Sequence, residues 1–348
     1  MKITYLLIYI LLLFSPTRLF PQGTVSTQSI ASNILNRNVA YNVYLPPSYS
    51  ENTNVNYPVL YLLHGYFGNN TDWTNNGMAA TMDTEIGNGT KEMIVIMPDG
   101  MDAFYCNNFD GRKLLYEDFM LQELIPQVES KYRIISSRQT RAIAGLSMGG
   151  YGATYHAFKY ATMYSSSYNM SGAVLFGTAE PNVQTFLESM SADDLKKLPA
   201  YTIEIGTGDF LFNNNLAWHN LLLAKGVTHT YITRAGAHDW PFWKECLPKA
   251  IRFASDNFGT ITGVDDFVSG NSYIRFYPNP VKDKFVIESS MITGNLQVAI
   301  LDVSGRKLIE RQISGNKYET DISNLPTGIY IIKLINQEKI ITGKIIKK

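Results

Sequence analysis

Cysteine is scarce, with two in 348 residues. That excludes a disulfide-rich scaffold and any zinc site built on four thiolates. The chain has no His-Glu-x-x-His, no glycine-rich loop closing on Gly-Lys, and no spaced Cys/His cluster. Zinc hydrolases, nucleotide enzymes and zinc modules are therefore set aside, and neither a metal nor a cofactor is expected. An excess of charge is also missing, since 30 basic residues meet 30 acidic ones. A phosphate backbone needs a broad basic surface, so nucleic acid is not an expected partner. Long apolar runs are missing too. The longest, residues 3–14 (ITYLLIYILLLF), falls short of the ~18 residues a membrane span requires. It follows Lys2 and stops before Pro16, as a secretory signal over residues 1–22 would. The other reading of this run is an uncleaved anchor.

What is present divides the chain in two. With 45% apolar and 17% charged residues it can bury a core, and its length suits about two domains. Residues 23–260 alternate between strand-like and helix-like runs. Strands are expected at 39–45, 58–63, 93–97, 140–144, 201–205 and 229–233, several of them apolar throughout, as buried parallel strands are. Helices are expected over 116–131, 149–162 and 215–225. This alternation predicts an α/β domain, a mostly parallel sheet covered by helices on both faces. Residues 261–272 are small and polar and read as a linker. Residues 273–348 hold short β-rich runs at 284–288, 296–303, 306–313, 328–335 and 339–346, separated by Pro, Gly and Asn turns. They predict a small all-β sandwich. The charge balance hides an asymmetry. Residues 271–348 carry 12 basic and 7 acidic residues, and residues 1–270 carry 18 and 23.

The chemistry enters at Gly145-Leu146-Ser147-Met148-Gly149-Gly150. A Gly-x-Ser-x-Gly turn between a strand and a helix is a nucleophile elbow. Its serine projects from the sheet edge, and its glycines leave room for the turn. An acyl-transferring serine needs a base and an orienting acid, in the chain order Ser, acid, His. That order removes His64 and His156 as bases. His219 lies in a helical run and His229 opens a strand, whereas His238 sits in a loop after strand 229–233, ahead of a helix starting at Pro241. His238 is the expected base. Asp209, in the Gly206-Thr207-Gly208-Asp209 loop after strand 201–205, is the expected acid, and Asp239 suits the cap of the next helix. The oxyanion donors expected are the backbone N–H groups of Met148 and Tyr66, with His64 a structural hydrogen bonder. Trp73, Trp240 and Trp243 could line an acyl pocket or simply fill the core. Cys106 and Cys246 could pair across the C-terminal edge of the sheet or remain two separate buried thiols.

The segments PVLYLLHGYFGNNTDW (58–73), IVIMPDG (94–100), YEDFMLQELIPQVESKYR (116–133), GLSMGGYGA (145–153), IGTGDF (205–210) and GAHDWPFW (236–243) resemble the esterase D-like family of esterases. That family includes tributyrin-type esterases, S-formylglutathione hydrolases, feruloyl and acetylxylan esterases, and mycolyltransferases. The likeness runs over about residues 30–257. It implies an α/β-hydrolase fold, the triad Ser147, Asp209 and His238, and oxyanion donors Tyr66 and Met148. Ala237 departs from the pattern, because many members carry a second Gly before the His. YPNP (277–280), LDVSGRKL (301–308) and LPTGIYIIKL (325–334), with the basic end KIIKK, resemble the type A sorting domain of the type IX secretion system. That likeness implies outer-membrane secretion machinery as a partner and a secreted or cell-surface location.

The expected function is therefore an exported serine esterase acting through an acyl-enzyme. Its expected substrates are short acyl, acetyl or feruloyl esters, small or linked to polysaccharide. Three alternatives follow from the same residues. An acyltransferase would pass the acyl group to an alcohol. A serine peptidase would need a larger recognition domain. A catalytically silent surface glycan-binding protein would not need Ser, Asp and His intact and in order.

Overall fold

Short β-branched and apolar runs between glycine-rich turns build the first half of the chain. The computed structural model describes residues 22–53, 55–176 and 182–259, and in the tail 267–269, 272–278, 280–289, 295–302, 306–315, 317–335 and 340–348. The expected leader up to residue 21 lies outside the described residues, as do residues 261–266 and 270–271 of the expected linker.

The strands are β1 (Thr24–Ser32), β2 (Arg37–Leu45), β3 (Val59–Leu63), β4 (Ile94–Pro98), β5 (Arg141–Leu146), β6 (Ser166–Met170), β7 (Ala200–Gly206) and β8 (Thr230–Arg234). Between them lie α1 (Asp72–Asn75), α2 (Met78–Gly87), α3 (Tyr116–Phe119), α4 (Ile125–Lys131), α5 (Met148–Lys159), α6 (Val183–Ser189), α7 (Ala192–Leu195), α8 (Phe212–Ala224) and α9 (Trp240–Asn257). The eight strands form one sheet in the order β1-β2-β4-β3-β5-β6-β7-β8. β1, β2 and β4 pair antiparallel, and every pair from β4–β3 to β7–β8 is parallel. This is the mostly parallel α/β-hydrolase sheet the sequence predicted.

Alternation along β3 sorts the core onto two faces. Val59, Tyr61 and Leu63 pack with Met148 and Ala153 of α5. Leu60 and Leu62 pack with Trp243, Cys246, Leu247 and Ile251 of α9. Both faces are dry, so strands β3, β4 and β5 are buried at every position.

Two strands escape a pattern reading. β6 (SSYNM) is polar yet wholly buried. Ser167 Oγ donates to Ala153 O of α5 at 3.1 Å, and Asn169 Oδ1 accepts from Gly172 N at 2.6 Å. β1 is an edge strand exposed over most of its length, so no apolar stripe marks it. The 116–131 segment is helical as expected but carries a π turn over Met120–Leu124. Pro126 stands in the first turn of α4 just after it. A proline has no N–H to give and its ring crowds the preceding turn, which accounts for the wider winding.

The tail forms β9 (Phe267–Ser269), β10 (Ser272–Tyr277), β11 (Lys284–Ser289), β12 (Asn295–Leu301), β13 (Lys307–Ser314), β14 (Lys317–Asp321), β15 (Gly328–Ile335) and β16 (Ile340–Lys347). They make two four-stranded antiparallel sheets, β14-β11-β10-β9 and β13-β12-β15-β16. Phe276, Phe285 and Ile287 of the first share a core with Val298, Ile300, Ile332 and Leu334 of the second. β9 falls inside the stretch read as linker, β10 starts one residue before the expected start of the all-β domain at 273, and neither β10 nor β14 was among the expected strands.

Candidate active site

β5 delivers Ser147 to the C-terminal edge of the sheet, and α5 begins at the next residue. Ser147 holds φ 52° and ψ −116°, a conformation that L-residues avoid at a cost of about 1–3 kcal/mol. Its backbone is tied down on both sides. Its N–H donates to Met170 O at 2.9 Å, and its carbonyl accepts from Tyr151 N and Ala173 N, each at 3.0 Å. The turn is tight enough to demand its glycines. A Cβ on Gly145 would lie 2.3 Å from Gly149 O, and one on Gly149 would lie 2.4 Å from Leu63 O.

The β8–α9 loop brings His238 to the serine, with Nε2 2.9 Å from Ser147 Oγ. Its Nδ1 lies 2.8 Å and 3.0 Å from the two oxygens of Asp209. A carboxylate only accepts, so Nδ1 carries the proton and Nε2 is free to accept from the serine hydroxyl. The Asp209 side chain is fully buried and that of His238 is 14% exposed. Leu211 N donates to Asp209 Oδ1 at 2.8 Å, which fixes the carboxylate without adding a charge. Asp239 caps α9, accepting from Phe242 N at 3.1 Å, and the helix starts at Trp240, one residue ahead of the expected Pro241. The imidazole sits against Phe210 at 4.5 Å and edge-on to Trp243 at 4.9 Å between ring centroids.

A cavity of about 620 Å³ opens over this serine. Tyr66 and Met148 border it, as do Trp240 and Trp243. Met148 is the first residue of α5, so its N–H has no intrahelical acceptor. Trp73 does not line the cavity. It is buried beneath it, its indole N–H donating to Leu63 O at 3.0 Å and its ring edge-on to Trp240. The expectation for Trp73 as a pocket residue is corrected to core packing, because α1 turns it toward β3.

The cysteine bridge is likewise corrected, because Cys106 and Cys246 are both free and buried. Cys106 packs with Phe109, Tyr151 and Tyr155 on the α5 face. Cys246 packs with the α9 cluster on the opposite face, where Arg234 Nη2 approaches its sulfur at 3.3 Å. The sheet separates them. Burial pushes the Cys106 thiol up to about 12 and raises that of Cys246 further.

The remaining histidines have other partners. His64 is buried and bonded to backbone at both ring nitrogens. His156 Nε2 lies 2.8 Å from Tyr105 O. His219 Nδ1 donates to His229 Nε2 at 2.7 Å, since His229 Nδ1 is committed to Val227 O.

Sequence reasoning missed the aromatic lining of the cavity: Phe67, Phe104, Phe109, Phe176 and Phe210. Phe67 and Phe210 are 87% and 67% exposed at its rim. Phe104 stacks on Phe109 at 3.8 Å, nearly parallel. The available signal was position, because Phe67 and Phe210 follow strand ends within the same segments as Tyr66 and Asp209. Their orientation was not legible, since Phe67 and Phe104 have positive φ. Arg112 was also missed. Its guanidinium donates to Tyr66 Oη and Asp102 O, each at 2.9 Å, bracing the loop on which Tyr66 stands. Among the described residues no group of three or more His, Cys, Asp or Glu side chains could hold a metal ion.

The family described as "Putative esterase" matches residues 32–254. The chain belongs to this esterase family. The esterase is a carboxylic-ester hydrolase, and its last segment, residues 275–348, matches the secretion-system C-terminal sorting domain, which marks export to the cell surface or the medium. It is 27% identical to an acetyl esterase of Caldicellulosiruptor saccharolyticus over 229 residues, covering 58% of this chain and 84% of that one. It is 28% identical over 215 residues to an endo-1,4-beta-xylanase/feruloyl esterase of Xylanibacter ruminicola, covering 60% of this chain and 28% of that longer one. A solved ferulic acid esterase is 33% identical, with a TM-score of 0.63, covering 68% of this chain and 99% of that one.

Proposed function

We propose that the esterase hydrolyses acetyl or feruloyl esters of glycans outside the cell, through an acyl-enzyme on Ser147. The observation that carries this reading is the hydrogen-bonded chain Asp209–His238–Ser147 at the mouth of an aromatic-walled cavity. Ser147 Oγ attacks the ester carbonyl carbon while His238 Nε2 takes its proton. Asp209 holds the imidazole in the required tautomer and stabilises imidazolium. The carbonyl oxygen becomes an oxyanion facing the N–H groups of Tyr66 and Met148. The carbon–alkoxy bond then breaks, and the leaving alcohol takes the proton back from His238. Water attacks the acyl-enzyme by the same relay, which releases the acid and restores the serine.

Two features support the substrate class. The rim aromatics Phe67 and Phe210 leave the cavity open, so the alcohol side of the ester can be bulky. The stacked Phe104–Phe109 pair in the wall offers a flat apolar surface to an acyl group. The names of the relatives, acetyl esterase and feruloyl esterase, agree with these acyl groups.

The test is pre-steady-state hydrolysis of a chromogenic ester, followed by a panel of acetyl, butyryl and feruloyl esters with acetylated and feruloylated xylan. A burst of one alcohol equivalent per enzyme and turnover of at least one of the two xylans is expected. Absence of turnover on every ester would overturn the enzyme mechanism. Turnover of the small esters with neither xylan touched would overturn the glycan assignment. Faster product formation with an added alcohol, yielding a new ester, would point to acyl transfer.

A further inference from the structure

We infer that His64 is a positioning residue that aims the Tyr66 N–H at the oxyanion. This rests on the reading of Tyr66 as an oxyanion donor. The imidazole bonds to backbone at both ends. Its Nε2 lies 2.7 Å from Gly100 N, and its Nδ1 lies 2.7 Å from Gly65 O. A backbone N–H only donates, so Nε2 is the bare acceptor and Nδ1 carries the hydrogen that goes to the Gly65 carbonyl. Burial lowers the pKa of His64, which keeps the ring neutral as this arrangement requires.

The Gly65 carbonyl belongs to the same peptide plane as the Tyr66 N–H. In a trans peptide these two groups point in opposite directions. Holding the carbonyl against the imidazole therefore turns the N–H the other way. Gly65 stands beside the nucleophile, since a Cβ built on it would lie 3.4 Å from Ser147 Cβ. Gly65 and Tyr66 both border the cavity over Ser147, and the Tyr66 N–H finds no acceptor among the described residues. A second bond supports the carbonyl, from Gly68 N at 3.2 Å. The imidazole also polarises the amide it holds, which strengthens the N–H as a donor. Tyr105 Oη donates to His64 O at 3.1 Å, so the neighbouring loop locks His64 in turn.

Two substitutions separate the ends of the ring. Asparagine places its amide nitrogen where Nδ1 stands, and glutamine reaches the Nε2 position. His64→Asn retains the bond to Gly65 O and loses the one from Gly100. His64→Gln does the reverse. The reading predicts that His64→Gln lowers kcat about 10- to 100-fold, part of the ~10²–10³ attributed to one oxyanion donor, with KM within about twofold. His64→Asn keeps most of kcat. Thermal melting of the full chain reports whether each variant folds. Equal losses in both variants, or a larger loss in His64→Asn, would overturn the inference. Replacing the Gly65–Tyr66 amide by a backbone ester removes the N–H, while also weakening the Gly65 carbonyl as an acceptor, and tests the underlying donor reading. Wild-type kcat in that ester variant would show that Tyr66 is not a donor, whatever His64 does.

Discussion

At the scale of single residues, Ser147 is held in a strained turn by bonds that do not involve its hydroxyl. Alanine at this position removes the hydroxyl proposed as the nucleophile and leaves the turn's supports in place. Ser147→Ala is expected to fold as the parent does and to lose ~10⁴ to 10⁶ in kcat. His238→Ala should cost as much, and the double variant little more, because residues acting as one unit do not add. Steady-state kinetics on one chromogenic ester checks all three. His219→Ala serves as the contrast. Its imidazole pairs with His229 and stacks on Tyr231 at 4.2 Å, so kcat should change less than about twofold. Severe loss there with activity kept in His238→Ala would reverse the base assignment.

The elements explain what single residues cannot. β5, β7 and β8 end at the same edge of the sheet, so three loops far apart in sequence deliver Ser147, Asp209 and His238 to one point. Arg234, the last residue of β8, secures the third loop. Its guanidinium bonds to the buried Glu204 of β7 at 2.7 Å and to Phe242 O of α9 at 2.8 Å. The elements also decide the cysteines. Cys106 lies beneath the α5 face and Cys246 on α9 across the sheet, so export into an oxidising medium does not bring them together. Thiol titration of the unfolded, unreduced mature protein should give two thiols per chain. None would mean that the two faces are joined by a bridge the fold does not allow. In the folded protein both should react slowly, because burial raises both thiols.

The molecule as a whole is built to lose stability in acid. His64 and His156 are buried, and desolvation lowers both below the ordinary value of 6.5. As pH falls below that value the unfolded chain takes up protons first, so stability drops. Two carboxylates act in the same direction at lower pH. Burial pushes Glu117 and Glu204 up, but their hydrogen bonds outweigh it. Lys159, Tyr160 and Tyr155 hold Glu117 below its ordinary value. Lys249, Tyr168 and Arg234 do the same for Glu204. Their contribution is complete above the ordinary value of 4.5 and is lost as pH falls through the lower folded values. The melting temperature should therefore decline between pH 7 and 5 and fall again below about pH 4.5. A melting temperature flat from pH 7 to 4 would contradict this assignment.

The order of motifs was enough to determine much of this protein. Gly145-x-Ser147-x-Gly149 between an apolar run and a helix fixes the elbow, because only glycine leaves space for that turn. The spacing of six β-rich runs marks six strands of the larger sheet, the clearest being β3 and β4, which are apolar at every position because both of their faces are covered. β1 and β6 stayed hidden. One borders solvent, and the other is polar with its needs met by α5 and β7. Asp209 and His238 were legible as loop residues following strands. That they stand within 3 Å of each other, and His238 within 3 Å of Ser147, was decided by parallel pairing that aligns the ends of β5, β6, β7 and β8. The tertiary structure alone assigned the three tryptophans, two to the cavity and Trp73 to the core, and set the cysteines on opposite faces. Side chains of one type look alike in sequence. Which face of the sheet each one meets depends on the helix that covers it.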